Sequence, residues 1–356
     1  MSSRRFIPRP LPCILHSIFV ALVLGAGQLC FAAGPELCGA LPGPLPLFPA
    51  DNWWNADVSL APLEPNGTRF INWIQQSGRR RLHPDFGGDS GEEPPDAIIY
   101  GIPYCTVPGT QPLVAVEFDY DDESDHAAPG RPAGYPIPSE AKTQQRWIEG
   151  GLAGGGDDGD RHMLIVDRDH RTLFELYALR WDTALRKWTA GSGAIFPLDS
   201  NLRRPDGWTS ADAAGLAILP GLVRYDEVYG AAPIRHAFRM TVRATNGYVY
   251  PASHRAGANP DAPPMGARFR LKASKNISAY AEPVRRIFQA MKTYGLIVAD
   301  NGSDMYITGA TDSRWDMDLM NTAFRSLYAN DFEVVKLGWR PATAPPTSAS
   351  NWRPYE

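Results

Sequence analysis

Residues 162–181 read HMLIVDRDHRTLFELYALRW, and this stretch indicates the fold class of the chain. Two runs that are apolar at nearly every position, 162–167 and 172–181, flank the polar turn RDHR, which is the pattern of a β-hairpin. Because neither run has a polar face, we expect the pair to lie centrally in a sheet that is covered on both sides.

Further short segments on either side of this hairpin predict more strands. They lie at 97–101, 113–120, 236–242, 248–252, 267–273 and 305–309. Asn246-Gly247 predicts a tight hairpin turn between two of them, 236–242 and 248–252. The 33 glycines and 33 prolines are typical of a chain with many turns between strands.

Helices are predicted to be few. Residues 282–294 place one apolar stripe along a helix that begins near Pro283 and ends at Gly295; the stripe consists of Val284, Ile287, Phe288 and Met291. A second helix is expected near 316–328 and a short one near 68–76. The predicted fold class is therefore α+β and β-dominated, an antiparallel sandwich or distorted barrel with a few peripheral helices.

The N-terminal residues predict export. Arg4, Arg5 and Arg9 precede a short apolar run, and small residues follow at the positions that a signal peptidase reads. The run is too short to span a membrane, and no later apolar run is long enough. We expect a signal peptide at 1–32, a single β-rich globular domain at 33–340 and a loosely ordered tail at 341–356. The location is then secreted or periplasmic, without a membrane span.

Export changes the charge and the cysteine count. Removal of 1–32 takes away three arginines and no acid, so the formal net charge falls from −4 to −7. This balance argues against nucleic acid as a partner, because phosphate binding needs concentrated lysine and arginine. Only Cys38 and Cys105 remain, and in an oxidising compartment they predict one disulfide. A catalytic or metal-bound cysteine is the alternative, although neither has a nearby Cys or His companion.

The absence of several well-known motifs argues against some classes of enzyme but does not identify a reaction. The serine-hydrolase elbow, the HExxH zinc motif, the P-loop and the dinucleotide fingerprint are all absent from the sequence. No histidines are paired at metal-ligand spacing; three of them could still converge in space as zinc ligands, with hydrogen-bonded histidines at strand ends or in turns as the alternative. The acidic run Asp119–Asp125 would place four carboxylates on one face if it were extended, so it is either a calcium site or a solvated acidic loop.

The densest group of ionisable residues lies between 199 and 254. We expect a cleft there in which acid/base chemistry is carried by Asp212, Asp226, Glu227 and His236, and in which the ligand is contacted by Trp208, Arg224, Arg239 and His254. The alternative is a structural ion-pair network. Trp53 and Trp54, which stand among polar neighbours, are further candidates for stacking on sugar rings, with core packing as the alternative.

Two predicted strands carry cationic faces. Arg268, Arg270 and Lys272 alternate with apolar residues, as do Arg239 and Arg243 on the strand 236–242 and just beyond it. Such faces could line a groove for an anionic polymer such as a uronate glycan, because arginine binds carboxylate in a bidentate way. They could equally be the solvent face of an amphipathic sheet.

Four segments carry a resemblance to a known group of proteins. They are FPADNWWN (48–55), RPDGWTSADAAGLAILPGLVRYDEV (204–228), PPMGARFRLKAS (263–274) and KTYGLIVADNGSDMYITG (292–309). The chain resembles a family of secreted, mostly uncharacterised bacterial proteins. The resemblance implies one continuous exported domain and assigns no catalytic residue.

The sequence leaves two classes of function open. The first is a secreted carbohydrate-active enzyme that acts on a polysaccharide by acid/base hydrolysis or by lyase chemistry. Hydrolysis would use two of the acids Asp206, Asp212, Asp226 and Glu227, whereas a lyase would use His236 or Tyr225 as its base. The second is a non-catalytic glycan-binding or envelope-associated protein with the same cleft.

Overall fold

A computed structural model describes residues 34–78, 80–87, 100–126, 132–156 and 159–341. The predicted signal peptide, positions 97–99 of one predicted strand and nearly all of the predicted tail lie outside these residues. All the described residues belong to one compact unit that begins at Ala33.

Strands dominate the described part of the chain. They are β1 (Glu36–Leu37), β2 (His83–Asp85), β3 (Tyr104–Val107), β4 (Val116–Phe118), β5 (Met163–Asp167), β6 (Thr172–Tyr177), β7 (Arg180–Asp182), β8 (Lys187–Ala190), β9 (Ser192–Pro197), β10 (Phe238–Val242), β11 (Arg268–Leu271), β12 (Leu296–Asn301), β13 (Tyr306–Thr308) and β14 (Phe332–Val334). The α-helices are α1 (Gly67–Gln75), α2 (Tyr225–Val228), α3 (Glu282–Thr293) and α4 (Met317–Phe324).

These strands form three sheets. One has the order β1-β3-β5-β6-β9, the second β14-β11-β12-β10-β13-β2, and the third, of three strands, β4-β8-β7. None of the three closes into a barrel among the described residues. The β-dominated α+β class is confirmed, but the sheets are mixed rather than purely antiparallel, because β3 and β5, β10 and β12, β13 and β2, and β4 and β8 pair in parallel.

The predicted central hairpin is confirmed. β5 and β6 pair antiparallel with Ile165 opposite Phe174, and every residue of β5 is buried. One face of this pair packs with Leu219 and Leu222 in a cluster between the two larger sheets. The other face packs in a second cluster with Trp188 of the small sheet. A strand covered on both faces needs no polar positions, which explains its nearly continuous apolar sequence.

The hairpin predicted at Asn246-Gly247 is wrong. Residues 248–252 form no strand, and Asn246 instead makes an isolated bridge with Ala258. The reason is that both edges of β10 are occupied: β12 pairs with one edge and β13 with the other. The strands that hold β10 in place come from much later in the chain, so a local turn motif does not decide its partner.

The helix predictions agree with the structure. The stripe on α3, formed by Val284, Ile287, Phe288 and Met291, is buried in the large core cluster of the six-stranded sheet. Gly295 follows α3 with a φ of +78°, a left-handed conformation that favours glycine at this position. Asp316 caps α4 by accepting a hydrogen bond from the backbone N–H of Leu319.

Candidate functional site

A cleft of about 450 Å³ opens between the two larger sheets. It lies where the beginning of β5, the end of β6, the beginning of β9 and the end of β12 meet the segment 209–213 and His254. We call it the acid cleft. Its described walls are formed by Tyr120, Glu123, Asp160, His162, Tyr177, Ser192, Thr209, Ser210, Ala211, Ala213, His254, Asp300 and Asn301.

Two other concavities contain fewer groups that could take part in acid/base chemistry. A groove of about 590 Å³ beside α3 contains one carboxyl group, Glu282, among three arginines, Arg235, Arg285 and Arg286. A third cavity, beside Trp53, measures about 20 Å³, room for about one water molecule. Of these three concavities, the acid cleft is the one that combines several carboxyl groups with imidazoles and hydroxyls.

Asp300 is the most unusual acid of the cleft. It lies near the end of β12 with its side chain 24% exposed, and its Oδ1 accepts a 2.7 Å hydrogen bond from the backbone N–H of Asn301. Burial, and then the neighbouring Asp212, raise the pKa of Asp300 to about 7, although Arg239 and His162 act in the opposite direction. A carboxyl group that keeps its proton near neutral pH and faces a cleft can act as a general acid.

The charge of Arg239 is directed mainly at Asp212. Its Nη2 and Nε donate to the two carboxylate oxygens of Asp212 at 2.7 and 3.0 Å, whereas the closest approach of Nη2 to Asp300 is 3.5 Å. Nη1 donates to Thr308 at 2.6 Å. Asp212 is fully buried. One guanidinium therefore serves two acids unequally, and its contact with Asp300 is the longer one.

His162 forms a buried charged pair with Glu149 in the wall of the cleft. Its Nδ1 lies 2.6 Å from Glu149 Oε2, and its Nε2 lies 2.9 Å from the carbonyl oxygen of Ala211. Burial opposes the charged imidazolium, but Glu149 outweighs burial and raises the pKa of His162 to about 9. Burial likewise opposes the charge of Glu149, whose pKa is nevertheless lowered by His162. With both nitrogens donating, His162 cannot serve as a base.

His254 has the opposite arrangement. Its Nδ1 lies 2.8 Å from the carbonyl oxygen of Ala213, which only accepts, so Nδ1 carries the proton. Nε2 then faces Glu123 Oε2 at 3.8 Å, beyond a direct hydrogen bond. Glu123 Oε2 also accepts a 2.9 Å hydrogen bond from the backbone N–H of Thr209. An imidazole fixed in this tautomer beside a carboxylate is a suitable proton acceptor.

More acids lie behind the cleft between the two sheets. Glu175 is fully buried and accepts hydrogen bonds from the backbone N–H groups of Ile218 and Leu219, yet burial raises its pKa to about 8. Burial, and then Glu149, raise the pKa of Asp85 to about 6. Burial is the main cause of these raised pKa values, and the neighbouring acids add to it.

Arg224, Glu227 and His236 meet in a second place, which we call the closed cluster. Arg224 Nη2 donates to Glu227 Oε1, and His236 Nε2 lies 2.9 Å from Glu227 Oε2. Arg224 and His236 are buried, and the carboxyl of Glu227 is 20% exposed. Burial favours the neutral acid, but Arg224 and then His236 outweigh it and lower the pKa of Glu227 to about 2. These three residues do not line the acid cleft.

The predicted catalytic residues are thus not brought together. Asp212 lies under the acid cleft, bound to Arg239, while Glu227 and His236 belong to the closed cluster. Asp226 points to solvent with its side chain 73% exposed and binds Arg314 at 3.1 Å. Of all the residues predicted for this site, His254 alone lines the acid cleft as described.

The predicted aromatic contacts are wrong for Trp53 and Trp54. Both indoles are buried in the large core cluster, where the ring of Trp53 packs edge-on against Tyr250. Trp208 is half-buried with the guanidinium of Arg204 over its ring at 5.3 Å. Core packing is therefore the correct alternative for the first two tryptophans.

At Arg268 and Arg270 the structure fits neither alternative for the cationic faces, a groove or a solvent face. Arg268 is buried and donates to backbone carbonyls of Trp53, Ala56 and Tyr294. Arg270 is buried and binds Glu333 through Nε at 2.8 Å and Nη2 at 2.6 Å. These guanidinium groups hold neighbouring segments against β11, so their positive charge does not reach a surface groove.

The acidic run does not extend into a strand. Residues Asp121–Glu123 form a short 3₁₀ helix that sends the acids in different directions. Glu123 enters the acid cleft, while Asp125 is buried against Arg204, with its Oδ2 2.5 Å from Nη1. No group of three potential metal ligands is found among the described residues. The four carboxylates therefore do not share one face, as the calcium hypothesis required.

Cys38 and Cys105 are free thiols, so the predicted disulfide is not formed in this structure. Leu37 pairs with Cys105 across β1 and β3, and Cys38 follows one position later. Cys38 leaves the strand with a φ of +53° and packs against one core cluster, whereas Cys105 lies in another. Cys38 Sγ instead approaches the carbonyl oxygen of Thr311 at 3.5 Å.

The sequence reasoning missed Asp300, His162, Glu149 and, as a catalytic candidate, Glu123. A usable pattern existed for Asp300, because it follows the apolar run LIVA at 296–299 and polar residues at the end of a buried strand are often functional. His162 similarly stands just before a fully buried strand. Nothing in the local sequence indicated that Glu149 pairs with it.

Comparisons with known proteins give no relative: no family model, curated protein or solved structure matches the chain. Within the described ranges, no helix is long and apolar enough to cross a membrane.

Proposed function

We propose that this protein is an exported glycoside hydrolase whose active site is the acid cleft. The observation that carries the proposal is Asp300, a cleft-facing carboxyl group whose pKa is raised to about 7 while a second carboxyl group, Glu123, lines the same cleft. Glycoside hydrolysis needs two such groups, one that donates a proton and one that acts as base or nucleophile.

Each group has a defined task in this chemistry. Asp300 gives its proton to the glycosidic oxygen as the bond to the anomeric carbon breaks. Glu123 removes a proton from the water that attacks this carbon, and His254 Nε2, which lies 3.8 Å from Glu123, orients that water. The product leaves with the water oxygen on the anomeric carbon, Glu123 releases the proton that it took to solvent, and Asp300 regains one from solvent.

Lyase chemistry fits the cleft less well than hydrolysis. Elimination from a uronate requires a cation to neutralise the substrate carboxylate, and the described walls of the cleft contain no lysine or arginine. The arginines proposed for this role, Arg224 and Arg239, are bound to Glu227 and Asp212. Three carboxyl groups in the walls would repel a uronate.

The test is a polysaccharide panel incubated with the protein lacking 1–32. New reducing ends without the ultraviolet absorbance of unsaturated uronates are the expected result. Asp300→Asn and Glu123→Gln should abolish the activity, whereas Asp226→Asn, which removes an exposed acid outside the cleft, should retain it. Turnover that survives in folded Asp300→Asn would overturn the assignment. Binding of a glycan without any turnover would identify a binding protein instead.

A further inference from the structure

Three of the five hydroxyl-bearing side chains in the described wall of the acid cleft have already used their hydrogens, and the phenols of Tyr120 and Tyr177 are the other two. Ser192 Oγ donates to the carbonyl oxygen of Ser210 at 2.7 Å, and Ser210 Oγ donates to that of Leu216 at 2.6 Å. Thr209 Oγ1 donates to the carbonyl oxygen of Asp212 at 3.3 Å. A hydroxyl has one hydrogen and two lone pairs, so towards a ligand these three groups act as acceptors.

The nitrogen-bearing side chains of the cleft wall likewise offer few free donors to a ligand. Both N–H groups of His162 are engaged, and Nδ1 of His254 is engaged with the carbonyl oxygen of Ala213. The side-chain amide nitrogen of Asn301 donates to the carbonyl oxygen of Ala256 at 2.9 Å. The Asn301 Oδ1 is buried and has no hydrogen-bond partner among the described residues. An unsatisfied buried acceptor favours a ligand that brings a donor.

The charge of the cleft walls also favours a ligand that is positively charged and rich in hydrogen-bond donors. Glu123, Asp160 and the protonated Asp300 line the cleft; the imidazolium of His162 is paired with Glu149, and no lysine or arginine is found among the described lining residues. A primary ammonium group has three donors, no acceptor and a positive charge, so it matches such a surface better than any neutral sugar substituent.

We propose that the substrate of the acid cleft is a glycan that carries free amino groups, such as a polymer of β-linked glucosamine. This proposal rests on the proposed function for the cleavage step, but the binding preference stands independently of it. N-acetylation of the same glycan would remove the charge, take away two donors and add a carbonyl acceptor, so it should weaken binding. A uronate would meet carboxylates instead of cations.

The experiment compares two oligomers that differ only in acetylation. Binding of a glucosamine hexamer and of its fully N-acetylated counterpart is measured by calorimetry at about pH 6, where the amine is charged. The protein carries Asp300→Asn, which prevents turnover and imitates the protonated acid. Glu123→Gln and Asp160→Asn are then added singly, and Asp226→Asn is added as a control for the loss of one acidic charge outside the cleft.

The free-amine hexamer should bind about tenfold more tightly than the acetylated one, and Glu123→Gln or Asp160→Asn should each remove most of this difference. Asp226→Asn should leave it unchanged. Equal or tighter binding of the acetylated hexamer, or an equal loss in the Asp226→Asn control, would overturn the proposal. Preferential binding of the free-amine hexamer without cleavage by the wild-type protein would refute the hydrolase and keep the specificity. Cleavage of neutral glycans without preferential binding of the free-amine hexamer would keep the hydrolase and refute the amine specificity.

Discussion

The closed cluster and the acid cleft are built from the same kinds of residue, yet their carboxyl groups have opposite properties. In the closed cluster a single carboxylate, Glu227, faces Arg224 and His236, and its pKa falls to about 2. Beside the acid cleft, Arg239 is bound to Asp212, and the pKa of the second acid, Asp300, rises to about 7.

Charge balance explains the difference better than burial does. Burial raises the pKa of both carboxyl groups, and in the closed cluster two cationic partners overcome it. In the acid cleft the nearest guanidinium, that of Arg239, is shared between Asp212 and Asp300. The charge of Asp212 also repels the ionised form of Asp300 and so raises its pKa further. An excess of cations holds a carboxylate in a structural ion pair, whereas an excess of acids leaves a proton available for chemistry.

The largest expected effect separates the two regions by activity. Asp300→Asn should lower turnover by about 1000-fold, because the general acid is lost while the shape of the cleft is kept. Initial rates of reducing-end formation measure this, with circular dichroism as the check on folding. Loss of less than about tenfold would place the proton donor elsewhere.

The second effect concerns stability instead of turnover. Glu227→Gln should lower the free energy of unfolding by about 3 kcal/mol, because it leaves the buried Arg224 without its anionic partner. Urea denaturation measures the loss, and the activity of the folded fraction should stay close to that of the wild type. A stable variant without activity would mean that the closed cluster is a functional site.

His254 of the acid cleft and His236 of the closed cluster offer a matched comparison of two histidines. His254→Asn should lower turnover by about 100-fold, since Nε2 no longer orients the attacking water near Glu123. His236→Asn should act through stability, as expected for a buried member of the closed cluster. Rates corrected for the folded fraction distinguish the two. The interpretation fails if the corrected rates of both variants fall alike.

The smallest expected effect is on the pH dependence of stability. Since the folded-state pKa of Asp300, about 7, lies above the ordinary value of 3.8, the stability that the protonated acid contributes is present at low pH and lost as pH rises through 7. Asp300→Asn should therefore raise the free energy of unfolding at pH 8 by about 1 kcal/mol and change it little at pH 4. Wild-type turnover, which needs the same proton, should fall above about pH 7. Equal effects of the substitution at both pH values would contradict the raised pKa.

The parts of the fold that follow from local pattern were predictable. The hairpin β5–β6 and the helix α3 each follow from a pattern of apolar residues that lies within 20 neighbouring positions of the sequence. The partner of β10 was not predictable from local pattern, because β12 is contributed by a segment about 60 residues later. Local polarity was misleading around Trp53 and Trp54, since Asn52 and Asn55 are buried there and bond to the backbone.

The site was harder to predict than the fold because its members are distant in sequence. Arg239 and Asp300 are separated by 61 positions, and Arg204 and Asp125 by 79. The acids between 204 and 254 are near one another in sequence but point to solvent, to the closed cluster and to the floor of the acid cleft. The stretch with the highest density of ionisable residues therefore contributes one wall of the acid cleft, and of the residues predicted for the site only His254 lines it as described.

The most direct measurement is a carbon-13 NMR titration that follows the carboxyl groups of Asp300 and Glu227 in the same sample. We expect Asp300 to titrate with a midpoint near 7 and Glu227 to remain ionised at every pH at which the protein stays folded. A midpoint for Asp300 near the ordinary value of 3.8 would contradict the central claim that the acid cleft holds a proton for catalysis.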